Sequence, residues 1–180
     1  MSLEKVFKSA CENHEQLKLL DSQWSFDKEL ISKALQNIGS TFPHYSLHDA
    51  SHSRQIIVNI ERMLGPRISQ LSATDMWLLL EAAYSHDIGM VVTNRQIRDL
   101  DSKDFRNYVK EIAEREEHEL SPFAKKWFDG NLNLPEGMAA HQLFNEYRQL
   151  IAEWYRKKHP ENAAKIVRDP LQEIGLRACT

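Results

Sequence analysis

The sequence predicts an all-α fold, a bundle of helices. Apolar residues recur at three- and four-residue spacing along most of the chain, and no stretch alternates apolar with polar residues for long. Gly and Pro number only six each in 180 residues. Helices are expected near 3–20, 26–39, 52–64, 74–86, 102–118, 121–129, 137–158, 160–168 and 171–178.

Several of these elements carry their own start or stop signal. Ser51 can cap the helix HSRQIIVNIERML, whose inward face runs through Ile56, Ile57, Ile60 and Met63 or Leu64, and Gly65–Pro66 stops it. Thr74 can cap the next helix, TDMWLLLEAAYSHD, which is apolar around most of its circumference and is expected at the centre of the bundle. The segment SKDFRNYVKEIAEREEHEL is heavily charged, with Phe105, Tyr108, Val109 and Ile112 as its apolar stripe, and reads as a solvated amphipathic helix. Ser121–Pro122 and Asp169–Pro170 each read as an N-cap followed by Pro at the first helical position, and Gly130 ends the helix between them. Trp24, Trp77, Trp127 and Trp154 all fall on apolar faces, where they belong to cores.

Composition removes several function classes. With 23 basic against 26 acidic residues the net charge is −3, so there is no strong electrostatic signal for nucleic acid. The longest apolar stretch, Met76 to Tyr84, is interrupted by Glu81 and is far too short to span a membrane. The N-terminal MSLEKVFKSACENHEQ has no apolar core of the kind a signal peptide needs. Cys11 and Cys179 share no metal-ligand spacing and suit a reduced, cytoplasmic protein. Phosphate-binding Gly-rich loops, G-x-S-x-G elbows and H-E-x-x-H helices are all missing.

Histidine and aspartate carry the chemistry that remains. Eight histidines and ten aspartates in 180 residues give about 0.4 His-Asp dipeptides by chance, so the dipeptide alone proves nothing. There are two, His48–Asp49 and His86–Asp87. The second ends the most apolar helix, where a buried carboxylate needs a partner. A metal ion would supply one; so would a nearby Arg or Lys, with His86 hydrogen-bonded in the core. His52 sits four residues before Ile56, above the stripe that packs inward, and two core helices crossing near these ends would bring it beside His86 and Asp87.

The run HYSLHDASHSRQIIVNIERML, followed by an apolar helix ending AAYSHDIGM, resembles the HD superfamily of metal-dependent phosphohydrolases. The likeness is to bacterial HD domains that precede a histidine-kinase-like ATPase module; it covers residues 26–95 well and 145–180 more loosely. It implies an HD-domain helical bundle in which His52, His86 and Asp87 hold a divalent metal, with Asp87 as the catalytic carboxylate. His48 and Asp49 resemble a local signature of the subgroup; they either line the pocket mouth as substrate-binding residues or cap the His52 helix. In WYRKKHPENAAKIV, His159 falls where two-metal relatives place a further ligand, though a site before Pro160 equally suits an exposed turn residue. Arg156 is then either a phosphate contact or an ordinary surface base.

The family closes its metal site with a later Asp. Asp169 is the late candidate, and before Pro170 it reads better as a helix cap. The expectation is therefore a single HD-type domain over 1–180, an N-terminal fragment lacking the closing metal-ligand segment. Imidazole and carboxylate donors suit Mn, Fe, Co, Ni, Zn or Mg. Two functions follow from the resemblance. One is hydrolysis of a nucleotide or another phosphate-containing small molecule by a metal-activated water. The other is an HD-fold sensor or interaction module without turnover, acting on a downstream ATPase module or pairing as a homodimer.

Overall fold

Helical periodicity in the sequence becomes helix along the chain, with no strand among the described residues. The structure, a computed structural model, describes residues 2–45, 49–98, 100, 102–130 and 137–175. No helix among them is long and apolar enough to cross a membrane.

Helix α1, Leu3–Glu12, buries Leu3, Phe7 and Cys11, one face at four-residue steps. The single helix expected over 3–20 is interrupted: His14 is extended, a 3-10 turn spans Glu15–Leu17, and α2 runs from Lys18 to Thr41. Helix α2 continues through Asp-Ser-Gln-Trp-Ser, which local propensity reads as a gap. Trp24 lies in that stretch and is fully buried, so packing outweighs the weak propensity of its neighbours. Helix α3, Ala50–Leu64, is capped by Asp49 rather than Ser51, and Gly65 with φ 53° ends it. Helix α4, Ala73–Ser85, is capped by Ser72 rather than Thr74. Ser72 Oγ accepts from the Asp75 amide at 3.1 Å and Asp75 accepts from the Ser72 amide at 3.0 Å, a reciprocal cap that places the start one residue early.

Helix α5, Asn94–Arg98, is short and is not among the expected helices. Thr93 and Gln96 cap its start reciprocally, Thr93 Oγ1 accepting from the Gln96 amide at 3.2 Å and Gln96 Oε1 accepting from the Thr93 amide at 2.9 Å. Helix α6, Lys103–Glu114, is capped by Ser102. Helix α7, Ser121–Phe128, has Pro122 in its first turn, but Leu120 takes the cap position and Ser121 Oγ instead donates to the Ala113 carbonyl at 3.1 Å. Helix α8, Met138–Arg168, passes through Pro160 without ending, against the expected break. Pro in a helix interior costs about 3 kcal/mol. Buried residues on both sides of it, Leu150, Ile151 and Ala152 before and Ala163 and Ile166 after, hold the helix in place. Helix α9, Pro170–Ile174, starts at the expected Asp169 cap, whose side chain accepts from the Gln172 amide at 3.1 Å.

The chain divides into two compact units, residues 1–91 with 159–180, and residues 92–158. In the first, α4 packs against α1, α2 and α3 and so takes the central place its apolar sequence predicts. It is not buried all round, however. Met76, Leu80, Ala83 and Tyr84 face the core, whereas Leu78 remains 53% exposed. Trp24 and Tyr84 meet edge to face at 5.2 Å. In the second unit α6 packs on α7, and the predicted stripe Phe105, Tyr108, Val109 and Ile112 is buried as a whole. Phe105 meets Trp127 and Trp154 edge to face at 5.8 and 5.6 Å.

One polar group in the first unit sets a pH dependence. Burial first, and then the Asp27 carboxylate, push the Glu81 carboxyl up to about 8. Its Oε1 is buried without a hydrogen-bond partner among the described residues. The folded chain therefore keeps the Glu81 proton over a range where the unfolded chain, with an ordinary value of 4.5, has lost it. Stability on this account falls as pH rises through that window. Glu81→Gln should flatten the dependence and melt above the parent at alkaline pH, as read by thermal melts across the range; parallel melting curves for the two proteins would contradict it.

Candidate metal centre

His52 lies in the first turn of α3, and its position is set by the cap. Asp49 accepts from the Ser51 amide at 2.8 Å and the His52 amide at 3.3 Å, satisfying donors that a helix start leaves open. The Ser51 hydroxyl, which also donates to Asp49, is the first cause holding the Asp49 carboxyl below its usual range, and the two amide bonds add to it. Asp49→Ala should cost about 1 kcal/mol of stability and loosen the turn that carries His52, as measured by denaturant unfolding. Ser53 and Ile57 form the buried face of α3 behind it.

His86 is the C-cap of α4, its amide bonded to the Ala82 carbonyl at 3.1 Å. Asp87 follows in a tight turn: its carbonyl accepts from the Met90 amide at 2.9 Å, and that of Ile88 from Val91 at 2.9 Å. A buried helix thus runs straight into a hydrogen-bonded turn, and the two ring- and carboxylate-bearing residues project at the junction.

The three side chains converge. His86 Nε2 lies 2.9 Å and His52 Nε2 lies 3.7 Å from the same oxygen, Asp87 Oδ2. The two imidazole centroids are 5.3 Å apart. One ligand atom from each residue falls within 4.8 Å of the others, the spread that a single ion can span. The Asp87 side chain is 7% exposed, whereas His52 and His86 are 41% and 32% exposed. The negative charge is therefore held at the base of the site, with the rings open to solvent beside it.

The second nitrogen of His86 fixes its tautomer. Nδ1–H donates to the Ala83 carbonyl at 3.0 Å, which leaves Nε2 turned toward Asp87. The hydrogen bond to Asp87 is the largest cause raising the His86 pKa, ahead of burial, which opposes it. A metal binding at Nε2 would displace any proton held there. Two imidazole nitrogens and a buried carboxylate oxygen fit a divalent ion of borderline softness.

The remaining predicted residues are placed as follows. Asp49 caps α3, as above. His48 lies outside the described residues. His159 is half-buried in α8, on one face with the buried Ala163 and Ile166, and is not part of the three-residue group. Arg156 is exposed on α8 and belongs to the other unit. Two supports escaped the motif reading. The Ala83 carbonyl is main chain, and Gly89 acts through what it lacks. Gly89 is not among the glycines with positive φ, so its small size, rather than a turn conformation, is what the site uses.

A family model, HD-CE, matches residues 42–178. No curated protein and no solved structure matches the chain.

Proposed function

The chain belongs to the HD-CE family, an HD-type domain, and on that premise we propose that it is a divalent-metal-dependent phosphohydrolase acting on a nucleotide or another phosphate ester. The observation that carries the proposal is the convergence of His52, His86 and Asp87 within 4.8 Å. His52 and His86 would hold the ion through Nε2 and Asp87 through Oδ2. Bound there, Mn, Fe, Co, Ni, Zn or Mg supplies Lewis acidity, which makes water a nucleophile near neutral pH and offsets charge on the phosphoryl oxygens. Asp87 places the fixed negative charge at the reacting centre and is the catalytic carboxylate. The exposure of both rings leaves room for a phosphate to approach. His159, in the same unit, is proposed as a residue that would hold a further divalent ion. His48 and Asp49 are proposed to border the substrate, and a cytoplasmic setting belongs to the same proposal.

The test is phosphate release from nucleoside phosphates and a chromogenic ester, with the chain stripped of metal and then loaded with each ion. Release that depends on metal is expected. A second reading, a sensor or interaction module that regulates an attached ATPase domain or pairs with a partner chain, is favoured by one observation: three donors, not four, converge among the described residues. Metal and nucleotide binding without release would select it.

A further inference from the structure

The turn that carries the candidate ligands is seated on the backbone of α8. A Cβ added to Gly89 would lie 2.0 Å from the His159 carbonyl oxygen, 2.8 Å from the His159 carbonyl carbon and 2.7 Å from the Ala163 amide nitrogen. All three are main-chain atoms of one helical turn, so no side-chain rotation relieves the overlap. Contacts below 3.0 Å are essentially never seen for a real Cβ. Any side chain at position 89 therefore forces the turn and the helix apart by a distance on the order of 1 Å, five times the ~0.2 Å tolerance of metal–ligand distances. The face of α8 presented here is trimmed to fit: Ala163 is buried and small. Gly89 follows Asp87 by two residues, inside the same hydrogen-bonded turn, so a displacement at Gly89 is passed to the Asp87 carboxylate and the His86 ring.

We propose that Gly89 is a positioning residue for the metal centre: by bringing the turn into direct contact with the His159–Ala163 backbone, it sets where Asp87 and His86 stand relative to His52. This rests on the reading of His52, His86 and Asp87 as metal ligands. It goes beyond that reading by assigning the geometry of the site to a contact with a distant helix.

The test uses cobalt(II) alone, titrated into the full chain and followed by its visible absorption, which reports ligand number and geometry. Gly89→Ala should bind about 10–100-fold more weakly, the range seen when a supporting residue is lost, and its absorption bands should shift. Ile68→Ala is the control for simple destabilisation. Ile68 is fully buried beyond the C-terminal end of α3, whereas His52 is at the N-terminal end. It should lower the melting temperature yet keep the parent affinity and spectrum. Should Gly89→Ala not fold, Ala163→Val takes its place, enlarging the residue whose amide meets Gly89, with the same expected weakening and band shift. Parent affinity and spectrum in the position 89 or 163 variant would overturn the proposal, as would loss of binding in Ile68→Ala in step with its stability. Failure of the parent chain to bind cobalt would instead remove the metal reading itself.

Discussion

Asp87→Ala is expected to abolish divalent-metal binding, and metal-dependent phosphate release with it. Substitutions that merely support a metal ligand cost about 10–100-fold in affinity or activity, and this one removes the anion that both imidazoles face. Asp87 Oδ2 is the common neighbour of His86 Nε2 and His52 Nε2. Without it the centre keeps two neutral nitrogen donors and loses the charge that holds a dication. Asp87→Asn, which preserves volume in a buried position, separates charge from packing: it should fold like the parent and still fail to bind. Calorimetric titration with zinc or manganese reads both variants. Parent-like affinity in either would show that the carboxylate is a structural partner of His86 and not a ligand.

Trp24→Ala should have the largest effect on stability, about 3–5 kcal/mol. The ring is fully buried where α2 crosses α4, edge to face with Tyr84. Its Nε1 donates to Glu4 at 3.2 Å, and the same Glu4 oxygen pairs with Lys28 at 2.7 Å. Removing the indole opens a cavity against the central helix and frees one donor–acceptor link to α1. In a domain whose total stability is of order 5–15 kcal/mol, that loss leaves a chain near its unfolding limit at 37 °C. Denaturant unfolding with an unchanged slope and a lowered midpoint is the expected signature. A loss below about 1 kcal/mol, the scale of a surface change, would mean that α2 and α4 are held together elsewhere.

The fold class was legible in the sequence because it rests on periodicity, and the central helix because it is apolar around most of its circumference. Which of its residues face the core, Met76, Leu80, Ala83 and Tyr84, is decided by packing. Boundaries were less legible where tertiary burial decides them. Trp24 pulls a polar pentapeptide into α2, and Ala163 and Ile166 carry α8 past Pro160. Caps shifted by one or two residues wherever several Ser, Thr and Asp compete, as at Asp49 and Ser51 or Ser72 and Thr74.

The centre itself divides along the same line. The resemblance to the HD superfamily singles out His52, His86 and Asp87. Spacing alone leaves a metal ion and an Arg or Lys partner for Asp87 both open, and the structure brings the three side chains together. The roles of the Ala83 carbonyl and of Gly89 are invisible in a string of residue types. One is main chain, and the other depends on how closely a helix 70 residues later approaches.

The most direct measurement is anomalous diffraction from crystals of the chain grown with zinc or manganese. One strong peak is expected between α3 and the end of α4, with His52 Nε2, His86 Nε2 and Asp87 Oδ2 each about 2.0–2.2 Å from it if the ion is zinc. A folded protein with these three side chains still in place, and with no peak or with the ion bound elsewhere, would contradict the metal centre.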